Sequence, residues 1–253
     1  MKDPVIYGIQ ENAAVHFACR SLRETGVSVA AEPCDEVTHL LLGVPSFDAH
    51  GHIRGGGDFK SILAQLPKNI TIIGGNLQSI TAERTLDLLQ DEQYLAENAA
   101  ITADCAMRIA GNNLPVRFAG CPVLIIGWGR IGKCLAQLLQ SMGANVTVAA
   151  RKEDQRASLI SLGYTAVEPR KLSDDLHSFR AIFNTAPQPV LDREQTALCR
   201  HDCVLIDLAS APGIVADDVI VARGLPGRDL PEASGELIAK TIYRLLKPKG
   251  ETP

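Results

Sequence analysis

The amino-acid sequence predicts an α/β protein built from two parallel-sheet units, and three observations carry that prediction. Short apolar runs rich in Val and Ile alternate with helical periods along the whole chain, the pattern of repeated strand–helix–strand units. The 253 residues are more than one small domain needs and suit two compact units. The third observation is local. The strand-like run Val123-Leu124-Ile125-Ile126 leads straight into Gly127-Trp128-Gly129-Arg130-Ile131-Gly132. A helical pattern through Cys134, Leu135, Leu138 and Leu139 comes next, then a second apolar strand at 145–150. G-x-G-x-x-G in that context marks a dinucleotide-binding turn. The second half therefore reads as a Rossmann domain with a doubly wound parallel sheet, and the first as a smaller flavodoxin-like α/β domain.

Residues 4–8 read as the first strand. Residues 12–25 read as a helix with Ala14, Val15, Ala18 and Leu22 on one face, ended by Gly26, and 27–31 as the second strand. A third strand at 38–44 stops at Pro45. The segment 46–58, with Gly51, Gly55, Gly56 and Gly57, is expected to be a loop or short hairpin. A helix at 59–66, a strand at 70–74, a helix at 81–89 and a brief extended piece at 92–95 come next. Residues 99–111 then form a helix that joins the two halves, ended by Asn112-Asn113-Leu114-Pro115. After the glycine turn and its second strand the pattern gives a helix at 154–162 and strands at 165–167, 181–184, 204–207 and 219–222. The last helix, 231–246, carries Leu237, Ile238, Ile242, Leu245 and Leu246 and is expected to return to the domain junction, leaving a loose tail from Lys247. The expected division is a substrate domain at 1–98, the joining helix at 99–114, the dinucleotide domain at 115–230 and the returning helix at 231–253.

With 46% hydrophobic and 21% charged residues, the chain has the composition of a globular protein with ample core. A net charge of -4 gives no hint of nucleic-acid or anionic-membrane binding. No apolar stretch approaches the roughly 20 residues needed to span a bilayer. The start, Met1-Lys2-Asp3-Pro4, is not a signal peptide, so a cytoplasmic location is expected. Seven cysteines without a C-x-x-C pair read as reduced thiols. Cys199-Arg200-His201-Asp202-Cys203 and His50-Gly51-His52 lack the four spaced ligands of a zinc site, so no metal is expected.

Each glycine of the turn has a physical role. Gly127 makes the bend, Gly129 lets a pyrophosphate approach the backbone, and Gly132 lets helix and strand pack closely. The free amides and the dipole at the helix start, around Trp128, Arg130 and Ile131, attract the diphosphate. The residues just past the second strand select the nucleotide. An NAD site needs a carboxylate there for the ribose 2′-hydroxyl, whereas this chain has Ala150-Arg151-Lys152. Arg can grip a 2′-phosphate in a forked geometry, so NADP is the expected cofactor.

Other strand ends in this half carry turn-forming or polar residues: Asn184-Thr185-Ala186-Pro187, Asp207-Leu208-Ala209-Ser210 with Pro212-Gly213, and Gly224-Leu225-Pro226-Gly227. Beside a dinucleotide turn they favour a shared crevice, with Asn184, Thr185, Ala186, Leu208 and Ala209 toward the cofactor. These segments, with Gly143-Ala144-Asn145-Val146, Ala150-Arg151 and Gly235, resemble the family of the A subunit of dipicolinate synthase, from bacterial spore formation. Asp48, Gly51 and Ile53-Arg54, and Asn98, Ile101 and Thr102, are similar to that family as well. The resemblance spans nearly the whole chain. It departs at Gly8-Ile9-Gln10-Glu11-Asn12, where the family has Gly-Gly-Asp with Arg and Gln shortly after, and it lacks a segment after Gly213. Asp104 stands where Glu is expected, and Arg228 where an aliphatic residue is, marking a divergent member.

The resemblance implies an NADP-linked oxidation of a dihydrodipicolinate-like cyclic imine to the aromatic pyridine dicarboxylate. It also implies a companion, a flavoprotein-like B subunit, and, for location, the mother cell of a sporulating bacterium. Two substrate carboxylates call for cations, so Arg54 and Arg228 are candidate clamps, with Asn98, Thr102, Ser210 and Gly227 placing the ring. Asn98, Asp104 and Asp207 are the catalytic candidates, the acids as proton acceptors if burial raised their pKa. A two-domain 2-hydroxy acid dehydrogenase shares the architecture, but such enzymes use a His late in the cofactor domain, and none comes after His201. A nucleotide-binding regulatory subunit without chemistry is the third reading. A homo-oligomer is expected in each case.

Overall fold

The structure, a computed structural model, describes residues 3–9, 11–48, 50–78, 80 and 84–246. The chain divides into two compact units, Met1–Ile101 with Pro226–Pro253, and Thr102–Leu225. No helix among the described residues is long and apolar enough to cross a membrane.

The first unit is a five-stranded parallel sheet of β1 (Val5–Gly8), β2 (Ser28–Ala30), β3 (His39–Leu41), β4 (Thr71–Gly74) and β5 (Thr85–Asp87), in the order β2-β1-β3-β4-β5. That is the flavodoxin-like order. Between β1 and β2 runs α1 (Ala13–Glu24), because Asn12 caps it: its Oδ1 accepts the Val15 amide at 3.1 Å. Gly26, at φ 84°, turns the chain out at the other end. The buried stripe Ala14, Val15, Ala18 and Leu22 faces a core of Ile6, Leu40, Leu41, Ile72 and Ile73. A short helix α2 (Phe59–Leu63) lies between β3 and β4.

Two local expectations fail in this unit. The helix expected at 81–89 is instead strand β5 and a short 3-10 turn at Leu88–Gln90, with residues 81–83 outside the described residues. Edge pairing with β4 (Ile72 opposite Thr85) overrides the helical spacing of Leu86 and Leu89. Asp87 then ends the strand by accepting the amides of Leu77 and Leu89, each at 3.0 Å. The extended piece expected at 92–95 is the first turn of a longer helix, α3 (Glu92–Asn113). Asp91 starts it, accepting the Tyr94 amide at 2.7 Å.

The second unit is a six-stranded parallel sheet. Its strands are β6 (Pro122–Ile126), β7 (Asn145–Ala149), β8 (Thr165–Val167), β9 (Ala181–Asn184), β10 (Val204–Asp207) and β11 (Ile220–Val221), in the order β11-β10-β9-β6-β7-β8. Counted from β6, this is the doubly wound 3-2-1-4-5-6 order, with its switch point between β6 and β9. β9 is buried at every position, as a strand covered on both faces must be. The helices are α4 (Arg130–Ser141), α5 (Glu153–Ser161) and the short α6 (Arg193–Thr196). Gly132, Leu135, Ala136 and Leu139 form the buried stripe of α4 at helical spacing.

The segment Gly224–Gly227, expected as a turn, opens a short helix α7 (Leu225–Asp229), and α8 (Pro231–Leu246) comes after it. α8 packs along α1, its Ile238 and Ile242 joining the first unit's core. Gly235 makes that approach possible, since a Cβ there would lie 2.5 Å from the Ala14 carbonyl oxygen and 2.5 Å from Phe17 Cβ. Arg20 and Glu232 pair beside it at 2.5 Å. The expected loose tail from Lys247, and Gln10 of the first turn, lie outside the described residues.

Candidate dinucleotide site

The site is built at the carboxyl ends of β6, β7, β9 and β10, where an open α/β sheet places ligands. Gly127 leaves β6 at φ 108°, in the left-handed region, and its amide bonds the Ala149 carbonyl at 3.0 Å. A Cβ on Gly132 would sit 2.3 Å from the Gly127 oxygen, so helix and turn touch through glycine alone. Gly129 differs from both. Its φ is an ordinary -84°, and a Cβ built there meets nothing within 4 Å. It is also the N-cap residue of α4 and, being glycine, offers the helix no side-chain cap. The missing side chain therefore leaves open space at the N-terminus of a helix, which is the room and the polarity a diphosphate requires. The residues present fit a dinucleotide.

Around this turn, Trp128 is half-buried and meets Tyr164 edge-on, with ring centroids 5.8 Å apart, while Lys133 lies 5.9 Å over its ring. Arg130 is exposed at the first position of α4, and Ile131 is half-buried behind it. At the end of β7, Ala150 is buried, its amide bonded to the Val167 carbonyl at 3.1 Å, whereas Arg151 and Lys152 are exposed. Arg151 Nη1 donates to Gln188 Oε1 at 3.1 Å. The turn itself is fixed by Arg156, whose Nη1 donates to the carbonyls of Ala150 (2.9 Å) and Arg151 (2.7 Å).

β9 and β10 end in one hydrogen-bonded knot. Thr185 Oγ1 donates to the carbonyls of Ile126 (3.1 Å) and Gly127 (3.4 Å), tying β9 to the glycine turn. Asn184, fully buried, donates through Nδ2 to Asp207 Oδ1 at 2.8 Å and accepts the Ala186 amide at 2.9 Å. Asp207, 1% exposed, also accepts the amides of Ala209 (3.3 Å), Gly213 (2.8 Å) and Ile214 (3.4 Å). Gly213 has to be glycine, because a Cβ there would fall 2.1 Å from Asn184 Nδ2. Leu208 and Ala209 are buried just beyond β10, and Arg223 Nε holds the Ala209 carbonyl at 2.9 Å. Both carboxylate oxygens of Asp207 thus accept hydrogen bonds, Oδ1 from Asn184 and Ala209 and Oδ2 from Gly213 and Ile214.

The remaining expected residues are spread over both units. In the second, Thr102 is buried on α3, Asp104 is exposed further along the same helix, and Ser210 is exposed beyond β10. Asp104 faces α4: burial first, then its negative charge, pushes the Cys134 thiol up. The histidines of this unit, His177 and His201, precede β9 and β10 and so lie at the opposite strand ends. In the first unit, Asn98 is half-buried on α3. Arg54 is exposed; its carbonyl accepts Asn12 Nδ2 at 3.1 Å and its Nε donates to Phe47 O at 3.1 Å. Its two Nη atoms have no partner among the described residues. Gly227 approaches Ala14, so both arginine segments reach the same end of α1. Arg228, however, is forked onto Asp229, with Nε–Oδ1 at 2.5 Å and Nη2–Oδ2 at 3.0 Å. That carboxylate occupies the fork expected to grip substrate.

Sequence reasoning missed Arg156, Gln188 and Arg223. Nothing in their spacing announces them, because each acts through a backbone carbonyl or side chain that only the folded turn brings near.

A doubly wound sheet with an open glycine at its switch point defines a dinucleotide-binding domain, and the family match makes it that of a nicotinamide-dependent oxidoreductase. The comparisons agree. Residues 92–223 match the family described as D-isomer specific 2-hydroxyacid dehydrogenase, NAD binding domain, and the chain belongs to that family. The A subunit of dipicolinate synthase from Bacillus subtilis (strain 168) is 24% identical over 199 residues, 73% of this chain and 67% of that protein. The crystal structure of the same subunit from Bacillus halodurans superposes with a TM-score of 0.83 at 19% identity, covering 98% of this chain and 99% of that one. That of the dipicolinate synthase A chain from Bacillus subtilis gives 0.78 at 20% identity, over 97% and 96% of the two chains.

Proposed function

We propose that the protein oxidises a dihydrodipicolinate-like cyclic imine dicarboxylate to dipicolinate, with NADP as hydride acceptor. One observation supports the cofactor most directly: β7 ends in exposed Arg151 and Lys152, with no carboxylate before Glu153. A 2′-phosphate is drawn to such a pair, and a bare 2′-hydroxyl gains nothing from it. The substrate class rests on the similarity to the A subunit of dipicolinate synthase along most of the chain.

When bound, NADP supplies the hydride acceptor. The chain's own residues hold and orient. The open backbone at Gly129 receives the diphosphate, and Thr185 fixes the distance between the glycine turn and the end of β9. Asn184 and Asp207 set the 184–186 and 207–214 loops against which the nicotinamide end would lie. Arg54 presents two Nη groups without a partner among the described residues for a substrate carboxylate, while Arg228 would first have to leave Asp229. Asn98, Thr102, Ser210 and Gly227 are proposed to place the ring, and Asp104 is the exposed carboxylate able to take a proton. Formation of an aromatic ring lowers the demand for a strong base. A flavoprotein-like B subunit for a companion and a homo-oligomeric state complete the proposal.

The test is direct. Purified protein is mixed with freshly generated dihydrodipicolinate and NADP, and formation of reduced cofactor is followed. Turnover with this substrate supports the reading. Turnover on 2-hydroxy acids instead, a reaction the family match leaves open, would replace it. Tight NADP binding with neither reaction would leave a regulatory nucleotide-binding subunit.

A further inference from the structure

One hydrogen bond of the dinucleotide site joins the two flanks of the glycine turn. β6, from which the turn leaves, lies between β7 and β9 in the sheet. Arg151 stands just past the end of β7 and Gln188 in the loop after β9, and strands two places apart are about 10 Å from each other. Two long side chains bridge that distance: Arg151 Nη1 donates to Gln188 Oε1 at 3.1 Å.

The Gln188 end of this bridge is the fixed one. Gln188 is half-buried, and its amide donates to the Ala186 carbonyl at 2.8 Å. Its own carbonyl packs on Gly213, where a Cβ would come within 2.9 Å of it. The Val190 amide then donates to the Gly213 carbonyl at 2.8 Å, so the segment around Gln188 is tied to the loop that Asp207 holds. Arg151, by contrast, is exposed, and apart from Nη1 its guanidinium has no partner among the described residues. Nε and Nη2 are the parallel donors of the side-on fork with which arginine grips a phosphate. The bond to Gln188 takes the third nitrogen and leaves that fork open. Gln188 is also neutral. A carboxylate in its place would hold the arginine as well but set a negative charge beside any phosphate bound there.

We propose that Gln188 is a positioning residue for dinucleotide specificity: it anchors the Arg151 guanidinium by one nitrogen and leaves the fork for the 2′-phosphate of NADP. This rests on the NADP reading above and deepens it, because it says how one exposed arginine can discriminate. A long, free side chain has to be immobilised when it grips a ligand, and that ordering weakens binding. A side chain already anchored in the free protein has less freedom to lose. NAD carries a hydroxyl where NADP carries the phosphate and makes no use of the fork, so loss of the anchor should not reach it.

To test it, NADPH and NADH are titrated by calorimetry into the full-length wild type, Gln188→Ala, Gln188→Glu, Arg151→Ala and the double variant Arg151→Ala/Gln188→Ala. Gln188→Ala should weaken NADPH binding roughly three- to tenfold, the scale set by immobilising one such side chain, and leave NADH within about twofold. Gln188→Glu should weaken NADPH further through like charge and again spare NADH. In the Arg151→Ala background, Gln188→Ala should change nothing more, since two residues acting through one contact are not additive. The proposal is overturned if Gln188→Ala leaves NADPH binding unchanged, or weakens both dinucleotides alike as a displaced 184–188 loop would. It is overturned equally if the loss is the same with and without Arg151. Failure of the NADP reading looks different: the wild type then binds both dinucleotides alike, or Arg151→Ala spares NADPH, and the role of Gln188 falls with it.

Discussion

Gly235 on α8 and Gly129 before α4 stand in different units and are glycine for different reasons. At Gly235 a methyl group would drive into the backbone and side chains of α1, so packing alone demands glycine. At Gly129 a methyl group would touch nothing, and the backbone angle is one that any residue adopts. An absence of side chain that the fold does not require, at the N-cap of a helix, points outward to a ligand. The first unit shows glycine used to bring two helices together; the second shows it used to leave room.

Four variants sharpen or break this contrast. Gly235→Ala should have the largest effect on folding, roughly 1–3 kcal/mol of stability lost to overpacking, read from denaturant unfolding. Affinity for dinucleotide per folded molecule should not change; a parallel loss of binding would mean that the packing and ligand roles are not separable. Asp207→Asn comes next. It sets an amide NH2 against backbone donors that the carboxylate now satisfies, with about 1–3 kcal/mol lost and weaker cofactor binding as the 207–214 loop shifts.

Arg151→Asp should lower NADP affinity tenfold or more, in line with about 1.5–3 kcal/mol for a charged hydrogen bond, while NAD binding is spared or improved. Equal losses for both, measured by calorimetry, would remove the 2′-phosphate contact. The smallest effect is in the first unit. Asp91 is held below the usual carboxylate range, first by its hydrogen bond from Arg244, then by the Tyr94 amide, with burial opposing. A depressed folded value means its stabilisation is present above the unfolded pKa of about 3.9 and is lost as pH falls through the folded value. Asp91→Asn should therefore flatten the acid limb of stability against pH, and an unchanged limb would assign acid sensitivity to other groups.

How much of this was legible in the sequence depends on the range of each interaction. The glycine turn, the stripe of α4 and the buried run of β6 are local patterns, and the structure places them where the spacing predicts. Asn184, Thr185, Asp207 and Gly213 were recognisable as strand-end residues, but their mutual knot was not, since it joins segments more than twenty residues apart. β5 misread as helix because its spacing suits both and only pairing with β4 decides it. The start of α3 was missed for want of recognising Asp91 as its cap. Arg228 looked like a substrate clamp in a string of letters, yet its own neighbour, Asp229, engages it.

The central claim is tested most directly by Gly129→Ala, titrated with NADPH and followed through Trp128, the chain's single tryptophan. The account predicts an unfolding free energy within about 1 kcal/mol of wild type, since alanine at a helix N-cap costs only about that much more than glycine. It also predicts at least a tenfold loss of affinity. A Gly129→Ala protein that binds NADPH as tightly as the wild type would show that the open space over α4 is not where the diphosphate lies.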